Sequence, residues 1–246
     1  LWRIAADAEG VSDVVAALGA GPITLADGHH RYETALRYRD ERQTGAAPGD
    51  DDPGWASILM LLLEPVAGPL TVLATHRVLT GIAGSDHDGM DALPELFEIE
   101  PAGRDELVGA FGPAVPGAGG RGRFGLWTRD GGFVLTARRA AFERLLGDGG
   151  PAVRRLDVSL AGAAIERLTG IDASATEGGR IRYTKDAGEA ARWVDDRVDG
   201  ADAALLLEPT PPSEIAAVAA DGDVMPQKST YIYPKALTGL VINPLE

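Results

Sequence analysis

The longest uninterrupted run of large apolar residues in this chain is Ile58 to Leu63, six residues. That length suits a β-strand and falls far short of the roughly 18–20 residues needed to span a bilayer. The other apolar runs are no longer, and most are fenced by glycine, proline or charge. Short elements of both kinds therefore have to share the core, and the expected class is mixed α and β. The 246 residues are enough for one large domain or two small ones. No secretory signal is visible, so neither a membrane nor an export route is expected.

Charge and cysteine content narrow the function. The formal net charge is -14. A strongly acidic surface repels nucleic acid, so no nucleic-acid partner is expected, and any anion must be bound by a local arrangement. The chain has no cysteine, which excludes disulfides, thiolate zinc sites and cysteine nucleophiles and fits a cytoplasmic protein. The richness in Ala, Gly, Arg and Asp reads as a GC-rich genome, and only three lysines remain: Lys185, Lys228 and Lys235.

Along the chain, Ser12 to Leu18 predicts a short helix with Ser12 as its cap. Pro22 to Ala26 predicts a buried strand, and helical spacing of Tyr32, Ala35 and Leu36 follows the Asp27-Gly28 break. Trp55 to Leu63 predicts a central strand. Leu70 to Ala74 predicts another, with Thr75-His76-Arg77 at its end. A hairpin is expected from Arg123 to Ala137 around Asp130-Gly131. Asp157 is expected to cap a helix that stops at Gly170. Arg180–Tyr183, a helix capped by Asp186 and running to Arg197, and Ala203–Leu207 together suggest a parallel crossover. A helix from Pro212 to Ala220 precedes an irregular tail. The glycine- and proline-rich stretch Gly112 to Gly122 suggests two lobes, 1–110 and 111–246.

The chemistry concentrates at Asp27-Gly28-His29-His30-Arg31. A strand ending in a glycine turn that opens a helix offers unpaired amides and a positive dipole end. Gly28 permits close approach, and His30 and Arg31 add donors, Arg31 as a fork for two phosphate oxygens. Asp27 suits a Mg²⁺ ligand, a proton acceptor or an orienting partner for histidine. The plainer alternative makes Asp27 a helix cap and the histidines ordinary polar residues. In the tail, Lys228, Ser229 and Thr230 give a cation and two hydroxyls, with Lys235 beyond, a set that can lie over a phosphate. It equally fits a terminal strand with Tyr231 and Tyr233 on one face. His76 and Arg77 stand at a strand end, where α/β sheets often place ligand groups. His87 is a weaker candidate metal ligand.

These motifs resemble a known family. Leu25 to Leu36 and Met225 to Lys235, running on to Thr238-Gly239-Leu240, resemble the two hallmarks of the DUF1015 family, a bacterial group, and Ala74-Thr75-His76-Arg77 fits between them. The resemblance spans the whole chain and implies relatives with a longer N-terminus, so that this chain looks shortened there. Gly28-His29-His30-Arg31-Tyr32 also resembles the Gly-Cys-His-Arg-Tyr box of sulfiredoxins and the matching box of ParB-like proteins, among them free-serine kinases. That likeness implies a ParB/sulfiredoxin-like element with nucleotide phosphates held by Gly28, His30 and Arg31. His29 stands where sulfiredoxins carry cysteine, which excludes sulfinic-acid reduction.

The resulting expectation is a protein that binds nucleotide or phosphate, with ATP or ADP and Mg²⁺ as cofactors and a small phosphorylated or hydroxylated metabolite as partner. Its sharpest form is phosphoryl transfer to a small hydroxyl substrate such as serine. Asp27, His29 and Lys228 would be catalytic, with Asp27 also the metal ligand. Gly28, His30, Arg31, Ser229, Thr230, Lys235, His76 and Arg77 would bind the cofactor. The alternatives are a noncatalytic nucleotide- or metabolite-sensing module and a metal-dependent hydrolase.

Overall fold

Ala201–Leu207 is apolar at almost every position, and it forms β7, a strand buried on both faces. Ala203, Leu205 and Leu207 point into one core, Ala204 and Leu206 into the other. This is the period-two alternation of a strand between two layers. The computed structural model describes residues 4–44, 53–63, 71–82, 91–112, 122–172, 179–235, 237, 239 and 241–242. They form two compact units, Leu63–Ala236, and Leu1–Leu62 with Leu237–Glu246. The lobe boundary expected near residue 110 falls inside the first of these.

Around β7 the larger unit builds a six-stranded sheet. Its strands are β2 (His76–Thr80), β3 (Phe97–Ala102), β4 (Arg123–Thr128), β5 (Gly131–Ala137), β6 (Ile181–Thr184) and β7, in the order β3-β5-β4-β7-β2-β6. All neighbours are antiparallel. The expected hairpin is β4 with β5, closed by Thr128 opposite Gly131. The expected crossover is also present in a split form: β6 and β7 run parallel, with β2 inserted between them. A separate pair joins β1 (Thr71–Leu73) to β8 (Tyr231–Tyr233).

Helices cover both faces of the sheet. On one face, α4 (Arg104–Ala110) and α8 (Ala187–Asp195) bury Leu107, Ala190 and Val194 against Val78, Ala204 and Leu206. Buried residues at 187, 190, 191 and 194 give α8 one apolar stripe. On the other face lie α3 (Leu93–Leu96), α5 (Arg139–Phe142), α6 (Pro151–Arg155), α7 (Asp157–Thr169) and α9 (Pro212–Ala220). There Phe97 packs edge-on against Phe124 and Phe142, at 5.8 and 5.5 Å between ring centres. The class is mixed α+β.

In the smaller unit, α1 (Val11–Gly19) and α2 (His29–Gln43) form as the spacing predicts, yet neither buries a residue completely. Two expected strands are absent there. Pro22–Ala26 is irregular and largely exposed, so the turn at Gly28 follows an irregular segment instead of a strand. Trp55–Leu63 begins in a single 3₁₀ turn, Gly54–Ala56, and continues as exposed irregular chain. Apolarity alone was the signal for that strand, and among the described residues no neighbouring strand supplies the ladder that would make it one.

The expected caps are partly revised. Ser12 lies inside α1, which starts after Gly10. Asp157 is the first residue of α7, where its Oδ1 accepts the Gly122 amide at 2.7 Å. Asp186 does cap α8, accepting from Glu189 N at 2.7 Å, but the Glu189 carboxylate turns to the Thr184 hydroxyl, and the helix stops at Asp195. His87 and the centres of the Gly81–Gly89 and Gly112–Gly122 loops lie outside the described residues.

Candidate functional site

Gly28 sits at φ 88°, ψ 26°, directly before His29 opens α2. This left-handed conformation favours glycine. A Cβ there would lie 2.9 Å from Arg31 Nη2, because the guanidinium folds back over the glycine. Arg31 Nη2 donates to Asp27 Oδ2 at 3.2 Å. Asp27 therefore holds Arg31, and the fork expected to face a phosphate is turned onto a carboxylate.

The helix end itself is open. No side chain caps it and its first turn carries no acidic residue. The Tyr32 amide reaches Gly28 O at 3.0 Å, and the preceding amides of the first turn have no intrahelical acceptor. His30 and Arg31 are exposed beside them, at 86% and 69% of their side chains, and His30 Nδ1 lies 3.5 Å from Glu33 Oε2. His29 is half-buried. The arrangement offers amide donors, a dipole end, an imidazole and a guanidinium to an anion from solvent.

The other expected ligands lie in the larger unit. His76 and Arg77 do not end β1 as surface groups; they open β2 and are buried, at 0% and 5% exposure. His76 Nδ1 accepts the Leu207 amide at 3.2 Å, which puts the proton of the neutral ring on Nε2, and that atom has no partner. Burial first, then the neighbouring Arg77 charge, lowers the His76 pKa to about 4, against a smaller opposing effect of Asp186. Arg77 Nη1 donates to Thr75 O at 2.7 Å, and its guanidinium lies 5.8 Å from the Tyr183 ring centre. Burial lowers its pKa to about 10.

In the tail, Lys228 is exposed with φ 56°. Ser229 is buried, its hydroxyl donates to Pro226 O, and its carbonyl accepts from Thr210 Oγ1 at 3.2 Å. The Ser229 hydroxyl is thus engaged within the fold. Thr230 is half-buried, and Lys235 Nζ lies 4.8 Å from the Tyr231 ring centre.

Sequence reasoning missed several groups. Lys185 Nζ stands 3.6 Å from the same Tyr231 ring; its rarity in the chain was the available signal. Glu208 is buried, with Oε1 3.7 Å from Arg123 Nη1. A cleft of about 650 Å³ is lined by Arg139, Glu143, Arg154, Arg155 and Glu214 among others. Burial, then the Asp157 charge, raises the Glu214 pKa to about 6, while Arg139 opposes the rise. No local motif marks that cleft, whose residues come from four separate helices and the ends between them. Among the described residues no three His, Asp or Glu side chains gather to hold a metal, and no helix is long and apolar enough to cross a membrane.

Comparison with known proteins assigns the family. Residues 1–159 match the family described as protein of unknown function (DUF1015), and the chain belongs to it. No curated protein matches the chain. Among solved structures it is similar to a conserved hypothetical protein from Pyrococcus furiosus, with TM-score 0.44 and 14% identity over 85% of this chain and 68% of that one. It is also similar to a free serine kinase in complex with AMP (TM-score 0.44, 15% identity) and to a mutant of that kinase in complex with ADP (TM-score 0.42, 18%). Both matches cover 85% of this chain and 66% of the other, so the chain spans about two thirds of the length of these structures. Similarity of this degree assigns no activity.

Proposed function

We propose that the Asp27–Arg31 turn binds the phosphates of a nucleotide. The observation that supports this is the open end of α2: an uncapped helix start without an acidic first turn, behind a left-handed glycine, with His30 and Arg31 exposed beside it. The dipole end alone contributes about 0.3–1 kcal/mol at an exposed position, so the two side chains must supply most of the affinity. An incoming phosphate competes with Asp27 for Arg31. That exchange replaces an exposed ion pair of little net worth with a charge-assisted fork.

The finer reading is phosphoryl transfer from ATP or ADP to a small hydroxyl substrate such as serine. Asp27, released from Arg31, accepts the proton of the attacking hydroxyl. The hydroxyl oxygen bonds to the terminal phosphorus as the phosphoanhydride bond breaks, leaving the nucleotide one phosphate shorter. Mg²⁺ would supply charge neutralisation on the phosphate oxygens, and Asp27 is the residue that would hold it. A noncatalytic sensing role is the second reading. It is favoured by α2 burying no residue, so that a ligand would order the helix that binds it. The hydrolase alternative finds no gathered metal ligands among the described residues.

The test is calorimetric titration with ATP and ADP, with and without Mg²⁺. Wild type should bind, and Arg31→Ala should lose about 1.5–3 kcal/mol, the usual worth of a hydrogen bond to a charged group. Equal affinity in both proteins contradicts the reading. Turnover with serine then separates the enzyme from the sensor.

A further inference from the structure

We propose that the cleft lined by α5, α6, α7 and α9 is a second binding site, which takes a small metabolite by its carboxylate or phosphate group on Arg155 and Arg139. It lies wholly within the larger unit and does not depend on the turn at Gly28 binding anything. The cleft measures about 650 Å³ and is lined by Arg139, Glu143, Arg154, Arg155, Leu160 and Glu214 among others. Sites for small molecules commonly measure about 300–1,000 Å³.

Charge sets this place apart. The chain carries a net charge of -14, yet residues 138–155 hold five arginines and only two acids, Glu143 and Asp148. The fold uses these arginines differently. Arg138 reaches Glu98 at 3.2 Å. Arg154 is spent on structure: it donates to Gly147 O at 2.7 Å and to Glu143 O and Oε2 at 3.1 Å, clamping the turn between α5 and α6 and neutralising Glu143. Arg139 Nη1 lies 3.5 Å from Arg155 O, which sets Arg139 beside the end of α6. Arg155 is exposed, and among the described residues its side chain forms no hydrogen bond or ion pair.

Glu214, half-buried in the first turn of α9, lines the same cleft. The charged groups that share the cleft or act on Glu214 are Arg139, Glu143, Arg154, Arg155 and, from α7, Asp157. They do not neutralise it. Burial and then the Asp157 charge raise its pKa to about 6, and Arg139 offsets only part of the rise. The cleft therefore holds a guanidinium without a partner and a carboxyl group that is easily protonated. A guanidinium fork matches the two oxygens of a carboxylate or phosphate. Ionised Glu214 opposes such an anion, and its protonation removes the opposition, so anion uptake should strengthen as pH falls through about 6.

Arginine labelling tests this directly. The full chain is reacted with phenylglyoxal under mildly alkaline conditions, where Glu214 is ionised, with and without inorganic phosphate or malate. Individual arginines are followed by mass spectrometry. The proposal expects severalfold slower labelling of Arg155 and Arg139 with at least one anion, phosphate marking a phosphate ester as ligand and malate a carboxylate. Arg144, exposed and outside the cleft lining, should change little, and the pattern should persist in Arg31→Ala. Glu214→Gln should lower severalfold the anion concentration that protects. Arg155→Gln, an exposed substitution, should abolish the protection of Arg139. Five results overturn the proposal: no protection by either anion, equal slowing of Arg144, which marks ionic screening, protection unchanged in Glu214→Gln, Arg139 still protected in Arg155→Gln, or protection lost in Arg31→Ala, which places the anion at the turn.

Discussion

Gly28 carries the turn through its backbone alone. Gly28→Ala should cost about 1–2 kcal/mol, the price of an L residue in left-handed conformation. The new methyl also meets Arg31 Nη2, but a flexible side chain yields easily, so the larger effect should be a displaced guanidinium and weaker nucleotide binding. Chemical denaturation and titration of the same variant separate the two. His76 makes a different prediction. Its folded pKa is lowered to about 4, chiefly by burial. The unfolded chain therefore binds a proton near the ordinary histidine value while the native state resists until about 4. Stability contributed by neutral His76 is present above about 6.5 and is lost as pH falls toward 4, by an amount on the order of 3 kcal/mol. Denaturation midpoints across that window check it; a flat profile in a variant lacking opposing titrations contradicts it.

One such opposing titration belongs to α9. Glu214, in the first turn of that helix, has its pKa raised to about 6, so the native state takes up a proton that the unfolded chain does not. Its contribution is present at low pH and lost as pH rises through about 6. The two groups therefore work against each other between about 4.5 and 6. Glu214→Gln should steepen the loss of stability on acidification, which the same midpoints would show. Packing between elements gives a further test. A Cβ on Gly125 of β4 would lie 2.9 Å from the Phe111 ring and 3.1 Å from Leu206 Cβ. Gly125→Ala should destabilise by about 1–3 kcal/mol through overpacking, measurable as a lower urea midpoint at unchanged slope.

Element by element, the sequence was most legible where pattern and punctuation agreed. The hairpin at Asp130-Gly131, the Asp186 cap and the two-faced strand Ala201–Leu207 all combine a period with a stop signal. Trp55–Leu63 had only apolarity, which does not specify a ladder partner. His76 and Arg77 were legible as unusual residues at a strand terminus, but their burial depends on β6 and β7, far away in sequence, flanking β2. The Lys185–Tyr231–Lys235 cluster was invisible for the same reason: it joins two segments about fifty residues apart.

On the scale of the whole molecule, stability is unevenly distributed. The six-stranded sheet is sandwiched between two apolar cores, whereas α1 and α2 bury no residue and leave Ile4, Val14, Val15 and Ile23 exposed. Amides of β7 should therefore exchange with solvent far more slowly than those of α2, because a helix of 15 residues with no fully buried side chain is marginal in water. That contrast also gives the most direct test of the phosphate site. Hydrogen exchange of the full chain should be followed with and without saturating ADP. Binding at the Asp27–Arg31 turn predicts marked slowing at the first turn of α2 and along the helix behind it, absent in Arg31→Ala. Binding of ADP that leaves α2 exchange unchanged would contradict it.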